Sequence, residues 1–465
     1  MKNKYRDLIH QTFEFPQSGF HVEDDELYFH NIRLLDIIEQ YGTPLKISYL
    51  PKITSQIQRA KKMFAVGMAK ADYKGKYTYC YCTKSSHFAF VLEEALKNDI
   101  HLETSSGYDM HILRELFHKG LVNKDTYIIN NGCKKDSYKE QILEFINDGF
   151  TNIIPILDNI NEINYYKKHI TEKTKIGIRV ACDEEPKYAF YTSRLGVKNK
   201  HIVPFYEEKI ATDERFELKM LHFFINTGMR DTVYYWTELS KILQVYCDLK
   251  KICPTLDSLN IGGGLPIQNS LNFDYDYEYM IEEVVSQIKS YCNQQGVEEP
   301  NLFTEFGSFT VGESGATFYS VMDQKMQNDT EIWCMIDSSF MTTLPDTYSI
   351  DQKFIMLAVN HWDKEHRRVN LGGITCDSMD YYNTEAHASQ VYLPNVSEDE
   401  EKPLYIGFFH TGAYQESLGG YGGIQHCLIP APKHVIIDKN EDGSIVTSIF
   451  GKEQTYKSML KILGY

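Results

Sequence analysis

Short runs of β-branched and aromatic residues alternate with amphipathic stretches of helical period from about Pro44 to about Gly307. This alternation predicts a parallel sheet with helices packed outside it, and a stretch of about 250 residues has the size of a TIM-type barrel. The candidate strands are Leu45–Tyr49, Tyr77–Cys82, His101–Thr104, Thr126–Asn130, Asn152–Ile156, Lys175–Val180, Lys219–Ile225, Ser258–Ile261 and Asn301–Glu305. They number one more than a closed eight-stranded barrel needs, and the sequence leaves open which of them lies outside it.

The pattern changes after Gly312, where helical periodicity gives way to short strands, turns and the polar insert Asn395–Lys402 with its acidic run Ser397–Glu401. Such a run is typical of a solvated loop. Residues 1–43 also look rich in strands and turns, notably around Glu26–Phe29. We therefore expect a barrel domain over residues 44–312 and a second, β-rich domain built from both chain ends, residues 1–43 plus 313–465.

Apolar residues recur every three or four positions in the stretches expected to form helices. Clear examples are Tyr108–Lys119 and Tyr234–Leu249, and a short helix is expected over Gln454–Leu463.

Composition excludes some classes of protein. The formal net charge of −16 argues against nucleic-acid binding and against adsorption to anionic membranes. The 10 cysteines include no paired CxxC motifs, so a zinc ribbon is not expected and no metal site is predicted. The N-terminal stretch is charged and lacks an apolar signal core, and no apolar run is long enough to span a bilayer. We expect a cytoplasmic protein with reduced thiols.

Lys84 follows the aromatic strand YTYCYC, at the point where a barrel strand would open onto an active site. A lysine in apolar surroundings has a lowered pKa and can react with a carbonyl. Alternatively, Lys84 could begin the next helix in solvent. Taken alone, the sequence favours that second interpretation.

Two further motifs also follow candidate strands. Gly262, Gly263 and Gly264 could let backbone N–H groups close on a phosphate, although a tight structural turn competes about evenly. The spacing fits neither the dinucleotide fingerprint nor a P-loop. Glu305 ends an apolar strand, where a buried carboxylate needs a partner such as a protonated pyridine nitrogen, unless it is exposed.

Polar and reactive residues also follow glycine-rich turns in the C-terminal part. Cys376 and Asp377 in GGITCDSMD could supply a proton donor and a cation partner, although an inert buried cysteine is the commoner case. Tyr414, after the turn in FFHTGAYQ, could bring its hydroxyl to a phosphate, or could belong to the core.

The order and spacing of these motifs resemble one family across almost the whole chain, from about Tyr41 to Tyr465. The set is Lys84, Glu103, SRLG at Ser193–Gly196, HFF at His222–Phe224, the three glycines, Glu305, Cys376-Asp377 and GAY at Gly412–Tyr414. It is similar to the fold-type III pyridoxal-phosphate decarboxylases, which include the ornithine, diaminopimelate and biosynthetic arginine decarboxylases. The resemblance implies an alanine-racemase-like TIM-type barrel with a β-rich domain.

The resemblance also implies a role for each matched residue. Lys84 would hold pyridoxal 5'-phosphate covalently, Glu305 would keep the pyridine nitrogen protonated, and Glu103 would stand near the reacting amine. The phosphate would be held by Gly262, Gly263, Gly264, Thr227 and Tyr414. Cys376 would protonate the α-carbon from the partner subunit of a homodimer, while Asp337 and Asp377 would meet the distal cation of the substrate.

Three positions depart from the family pattern. Ser308 stands where the family has an arginine directed at the phosphate, so phosphate binding must differ or be weaker. Phe224 stands where a histidine usually stacks on the cofactor ring, with His222 two residues earlier on the same strand face. Either ring could stack, and we favour Phe224. Arg194 replaces a lysine.

Two stretches resemble the biosynthetic arginine decarboxylases within the family, namely Ser338–Phe354 and Phe408–Leu418. We therefore expect a small basic amino acid as substrate, with arginine converted to agmatine and CO₂ on the route to spermidine and other polyamines. Decarboxylation of ornithine, lysine, diaminopimelate or a carboxylated polyamine is the alternative within this class. A relative that binds the cofactor without turnover is the alternative outside it.

Overall fold

The computed structural model describes residues 3–8, 15–182, 193–382, 390–397 and 399–465. The strands in these ranges are β1 (Phe20–Glu23), β2 (Glu26–Phe29), β3 (Ile32–Arg33), β4 (Leu45–Tyr49), β5 (Tyr77–Cys82), β6 (His101–Thr104), β7 (Ile128–Asn130), β8 (Ile153–Leu157), β9 (Thr174–Ala181), β10 (Val197–Lys198), β11 (Phe216–His222), β12 (Ser258–Asn260), β13 (Asn301–Glu305), β14 (Gly315–Met326), β15 (Ile332–Ile336), β16 (Ile355–Ala358), β17 (His366–Gly372), β18 (Tyr381–Tyr382), β19 (Val391–Pro394), β20 (Tyr405–Phe409), β21 (Lys433–Lys439) and β22 (Ile445–Gly451).

The α-helices in the same ranges are α1 (Tyr5–Leu8), α2 (Leu34–Tyr41), α3 (Leu50–Lys70), α4 (Ala89–Leu96), α5 (Gly107–His118), α6 (Asp136–Asn147), α7 (Glu162–His169), α8 (Asn199–Phe205), α9 (Val233–Lys250), α10 (Tyr277–Gln295), α11 (Ser308–Val311), α12 (Phe340–Thr343), α13 (Asp346–Ser349), α14 (Gln415–Gly419) and α15 (Tyr456–Leu463). Among these residues, no helix has both the length and the apolar character to cross a membrane.

The chain divides into two compact units, which are described separately. The first comprises Thr54–Pro266 and Tyr275–Thr310, and the second comprises Met1–Ile53, Ile267–Asp274 and Val311–Tyr465.

Eight parallel strands close into a barrel in the first unit. Their order is β5, β6, β7, β8, β9, β11, β12 and β13, and β13 returns to pair with β5. The short strand β10 pairs in parallel with the last two residues of β9, Val180 and Ala181. All five residues of β8 are buried, as expected for a strand covered on both faces. The predicted TIM-type barrel is confirmed.

The ninth candidate strand, β4, lies outside the barrel. It pairs antiparallel with β14 and parallel with β21, both in the second unit. The main sheet of this unit runs β18-β17-β15-β14-β4-β21-β22, with β20 joining β14 to β16 and β19 pairing with β17. A residue near position 45 thus hydrogen-bonds one near position 433, which confirms a β-rich domain built from both chain ends.

Buried apolar clusters fill the second unit. One cluster packs β1 and β2 with β4, β14, β20 and β21, and a second packs β15, β17 and β19 with β20. Glu400 in the polar insert pairs with Lys364 at 2.7 Å. The predicted acidic run Ser397–Glu401 includes Glu398, which lies outside the described residues.

Candidate active site

Lys84 lies directly after β5, in one turn of 3₁₀ helix formed by Thr83–Ser85. Its Nζ donates to Oε2 of Glu103, near the end of the neighbouring strand β6, at 2.8 Å. The Glu103 side chain is 1% exposed whereas that of Lys84 is 39% exposed. Glu103 Oε1 is also buried and has no hydrogen-bond partner among the described residues. A buried carboxylate therefore positions a partly accessible amine at the C-terminal end of the barrel strands.

Glu305 is the last residue of β13 and is almost completely buried. Its Oε2 accepts from His222 Nε2 at 3.0 Å, and its Oε1 accepts from Asn260 Nδ2 at 2.8 Å. Burial acts to raise the pKa of Glu305, but His222, with help from Lys84 and Asn260, holds that pKa below its ordinary value. The carboxylate is thus kept ionised although it is buried.

The contacts of Glu305 extend to further polar residues at strand ends. Asn131, directly after β7, places its Nδ2 3.2 Å from His222 Nε2. Its Oδ1 accepts from Nη1 of Arg179, near the end of β9, at 3.3 Å. The Arg179 guanidinium also lies 5.9 Å from the centre of the Phe224 ring. A buried polar network therefore connects several strand ends of the barrel.

The three consecutive glycines pack directly against Glu305. The backbone N–H of Glu305 donates to the Gly262 carbonyl at 2.8 Å. A Cβ atom on Gly263 would lie 2.3 Å from the Glu305 carbonyl oxygen, so that position accepts only glycine without a shift. Gly262 and Gly264 have φ of 69° and 93°, which side chains rarely adopt.

A second backbone segment lies against this turn. The N–H of Met229 donates to the Gly264 carbonyl at 2.9 Å, and a Cβ on Gly228 would approach that carbonyl to 2.6 Å. The adjacent Thr227 hydroxyl is buried and has no hydrogen-bond partner in the described part of the chain. Close backbone packing and an unused hydroxyl are features suited to an oxyanion such as a phosphate.

The structure therefore brings the predicted barrel residues together. The Cys82 thiol and the carboxylates of Glu103 and Glu305 have atoms within 4.8 Å of one another. Lys84 contacts Glu103, and the glycine turn contacts Glu305. The roles assigned to these residues remain predictions.

Sequence reasoning missed Asn131, Arg179 and Asn260. Each is a polar residue at the C-terminal end of a buried parallel strand, which is where barrel active sites form. That placement was the signal that could have found them.

The structure also shows the surroundings of the positions that depart from the family pattern. His222 is completely buried and bonded to Glu305, whereas Phe224 is only partly buried. Ser308 begins the short helix α11 and brings no charge. Arg194 is exposed in the loop before β10.

Four of the predicted site residues lie in the second unit. Cys376 is exposed, and the neighbouring Cys427 thiol raises the pKa of the Cys376 thiol, which favours its protonated form. Asp377 Oδ1 accepts from the Met379 N–H at 2.8 Å. Tyr414 is the N-cap residue directly before α14 and has φ of 68°, an uncommon backbone conformation for tyrosine.

Asp337, the fourth of these residues, is engaged within its own unit. Its carboxylate accepts from the backbone N–H of Ser320 at 3.1 Å and from the Ser320 hydroxyl at 2.9 Å. Burial raises the pKa of Asp337, although hydrogen bonds from Thr43 and Ser320 oppose the effect.

Comparison with known proteins identifies this arrangement. A family model described as pyridoxal-dependent decarboxylase, pyridoxal binding domain, matches residues 50–312, which is more than half of the chain. The chain belongs to this decarboxylase family. Pyridoxal phosphate is therefore its cofactor, and the reaction class is loss of CO₂ from a small amino acid.

Relatives of this decarboxylase match over nearly its whole length. It is 21% identical to a biosynthetic arginine decarboxylase of Prochlorococcus marinus, covering 92% of this chain and 83% of the relative. It is 22% identical to one of Bacteroides thetaiotaomicron, covering 92% and 84%.

Solved structures show the same fold. A biosynthetic arginine decarboxylase from Campylobacter jejuni is similar with a TM-score of 0.79 at 19% identity, covering 97% of this chain and 89% of that one. A diaminopimelate decarboxylase from M. jannaschii has a TM-score of 0.78 at 18% identity, covering 95% and 97%.

The residues present in this decarboxylase fit the cofactor. The glycine turn with the unpartnered Thr227 hydroxyl suits a phosphate, and the ionised Glu305 suits a protonated ring nitrogen. Ser308 stands where the family pattern has an arginine, so position 308 supplies no positive charge.

Proposed function

We propose that this decarboxylase converts arginine to agmatine and CO₂. The single observation that carries the choice of arginine is the match to arginine decarboxylases across 92% of the chain, which includes both units. The Ser338–Phe354 and Phe408–Leu418 stretches support the same substrate. Agmatine is a precursor of diamines, which fits a role in the synthesis of polyamines such as spermidine.

The barrel unit would hold the cofactor. Lys84 would bind the cofactor aldehyde, Phe224 would lie against its ring, and Glu305 would accept a hydrogen bond from the ring nitrogen. Thr227 and the N–H groups of Gly263 and Gly264 would hold the phosphate, with Tyr414 as a further donor, because the Gly262 N–H already donates to Asn260 Oδ1 at 2.9 Å. When bound, pyridoxal phosphate supplies an electron sink for the electrons released as CO₂ leaves.

Glu103 would control the proton and position of the Lys84 amine. The two groups are 2.8 Å apart, so the carboxylate can hold the ammonium form or accept a proton from it. The nearly complete burial of Glu103 strengthens this interaction, because water screens the pair from the Lys84 side alone.

His222 would act on Glu305, because the 3.0 Å contact stabilises the ionised carboxylate. Its complete burial leaves Phe224 as the better candidate for contact with the cofactor ring.

Cys376 would donate a proton to the α-carbon once CO₂ has left. We propose that it does so in the partner subunit of a homodimer, as in the family that the sequence resembles. The exposed position of Cys376 supports this role, since a buried thiol could not reach another chain.

Asp377 would bind the distal guanidinium of the substrate. Its carboxylate has one hydrogen bond among the described residues, whereas that of Asp337 accepts bonds from Ser320 and Thr43. Asp337 would therefore have the smaller share in binding the cation. We also propose a cytoplasmic location, which the 10 free cysteines support.

A substrate panel tests the proposal. Purified protein loaded with pyridoxal phosphate is incubated with arginine, ornithine, lysine and meso-diaminopimelate, and released CO₂ and the amine product are measured. We expect agmatine from arginine and an amount of CO₂ equal to it. Turnover of ornithine, lysine or diaminopimelate with none from arginine would contradict the proposal.

Lys84→Ala serves as the catalytic control, with loss of both turnover and the visible absorbance of the covalently bound cofactor. Lys97→Ala is a surface control, because the Lys97 side chain, directly after α4, is 63% exposed. We expect Lys97→Ala to retain both properties.

A further inference from the structure

Three metal-ligating side chains of the second unit meet at its surface. The sulfur atoms of Cys376 and Cys427 are 3.6 Å apart, and Cys376 Sγ lies 3.9 Å from His426 Nε2. All three ligand atoms lie within 4.8 Å of one another, and all three residues are exposed. Among the described residues, the other group of this kind is Cys82, Glu103 and Glu305, which belongs to the cofactor site.

The distances in this cluster match tetrahedral coordination. Zinc binds thiolate sulfur at about 2.3 Å and imidazole nitrogen at about 2.0–2.1 Å, so a tetrahedral ion separates two sulfurs by about 3.8 Å and a sulfur from a nitrogen by about 3.6 Å. The observed separations of 3.6 and 3.9 Å each lie within about 0.3 Å of these values. Only small side-chain movements would be needed to bind an ion.

Two of the three ligand residues, His426 and Cys427, are consecutive in the chain and lie in one turn. His426 and Cys427 lie in a 3₁₀ turn in which Cys427 and Leu428 have φ of 53° and 54°. Consecutive non-glycine residues in the left-handed region are uncommon, and such strain concentrates at functional sites. The turn is closed by a hydrogen bond from the Leu428 N–H to the Gln425 carbonyl at 3.0 Å.

The loop that carries Cys376 is anchored independently. The buried carboxylate of Asp380 accepts from the Thr375 hydroxyl and N–H and from the Phe340 N–H at 2.8 Å. Cys376 therefore follows Thr375, whose backbone N–H and side-chain hydroxyl are both hydrogen-bonded to Asp380. The ligands thus come from two anchored loops, whose cysteines are 51 positions apart along the chain. These loops hold the ligands in place before any ion binds.

We propose that Cys376, His426 and Cys427 form a binding site for a thiophilic divalent cation such as Zn²⁺, with a fourth position open to water. Two sulfurs and one imidazole select zinc over the hard cations Mg²⁺ and Ca²⁺, which bind oxygen ligands. Three protein ligands with one open position are the usual arrangement of an accessible zinc site.

Zinc at this site would inhibit decarboxylation. An ion bound to Cys376 Sγ occupies the sulfur that is proposed to donate a proton to the α-carbon. This consequence rests on the proposed function, whereas binding of the ion does not.

Binding is tested first, by titrating Zn²⁺ into reduced, chelator-treated holoenzyme with a chromophoric chelator as competitor. Cd²⁺ provides a second readout, because its bonds to thiolates absorb in the ultraviolet. We expect one high-affinity ion per chain in the wild type. In His426→Ala and Cys427→Ser, affinity should fall by more than the roughly 10–100-fold that a lost supporting contact costs.

Cys133→Ser is the matched control, because Cys133 is the third exposed cysteine and lies in the other unit. We expect it to bind zinc like the wild type, and circular dichroism checks that each variant is folded. The proposal is overturned if the reduced wild type binds no Zn²⁺ in the micromolar range. It is also overturned if both His426→Ala and Cys427→Ser bind with unchanged affinity.

Turnover is measured in the same titration. Inhibition of arginine decarboxylation that follows occupancy of one ion per chain supports both the site and the role of Cys376. Binding without inhibition supports the site and contradicts the proton-donor role. Absence of arginine turnover in metal-free protein contradicts the proposed function, while the binding isotherm still decides the zinc site.

Discussion

Replacing Gly263 by alanine tests the packing of the glycine turn against Glu305. An ideal Cβ at this position lies 2.3 Å from the Glu305 carbonyl oxygen, and real Cβ contacts do not fall below 3.0 Å. The neighbour is backbone, so no flexible side chain can move aside. Gly263 is not in the left-handed region, and the effect of the substitution is therefore steric.

The size of the effect follows from this geometry. The turn and the end of β13 must separate by about 0.7 Å to open the contact from 2.3 to 3.0 Å. Displacement of about 1 Å at a reacting centre can lower a rate by about 100-fold. We expect kcat/KM for the substrate to fall by about 10–100-fold in Gly263→Ala, with weaker binding of the cofactor.

The assay is steady-state CO₂ release at a series of pyridoxal phosphate concentrations, together with the visible absorbance of the bound cofactor. Gly67→Ala is the matched control, because Gly67 lies within helix α3 and a Cβ there makes an ordinary 3.5 Å contact with Ile281 of α10. It should keep full activity and raise stability by about 0.5–1 kcal/mol. Wild-type cofactor affinity and turnover in Gly263→Ala would refute the reasoning.

Further predictions concern single contacts. In His222→Ala, Glu305 loses the imidazole that lowers its pKa, so the acid limb of the pH profile of kcat/KM should move to higher pH. His222→Gln keeps a hydrogen-bond donor and should move the acid limb less. Glu103→Gln should lower kcat about 100-fold or more while the visible absorbance shows that cofactor remains bound. Ser308→Arg should tighten cofactor binding about tenfold or more in a reconstitution assay, through a charge-assisted hydrogen bond. Asp377→Asn should raise KM for arginine about tenfold or more, with a smaller effect on kcat.

The barrel strands could be predicted from the sequence where burial is complete. The predicted bounds of Tyr77–Cys82 and Asn301–Glu305 agree with β5 and β13. The predicted strand Thr126–Asn130 begins two residues late, at Ile128, because the Thr126 hydroxyl and N–H close a turn on Asn123. Local side-chain hydrogen bonds of this kind compete with strand pairing and leave little trace in hydrophobic patterns.

The position of β4 could not be predicted, since its pattern is that of a buried parallel strand. All five of its residues are buried, and it does pair in parallel, but with β21 instead of a barrel strand. The partner lies almost 400 positions away along the chain, so only the folded structure reveals the pairing.

Lys84 and Glu305 could be predicted because each follows a recognisable apolar strand. His222 was also identified, although its contact with Glu305 was not. Asn131 and Arg179 were missed because a single polar residue at a strand end does not differ, in sequence, from one that begins a loop. Their hydrogen bonds connect separate strands, and such contacts leave no spacing pattern.

Ser308, which departs from the family pattern, and His222 affect the binding of two different charges on the cofactor. Without an arginine at position 308, the donors proposed for the phosphate are all neutral, namely the N–H groups of Gly263 and Gly264 and the hydroxyls of Thr227 and Tyr414. At the ring, His222 holds Glu305 in the ionised form that attracts a protonated nitrogen. The chain thus lacks a positive charge at position 308, while His222 reinforces the negative charge of Glu305. Cofactor binding should therefore depend more on Lys84 and Glu305 in this chain than on the phosphate. His222→Ala weakens the support of Glu305 and should lower cofactor affinity, whereas Ser308→Arg adds a charge for the phosphate and should raise it.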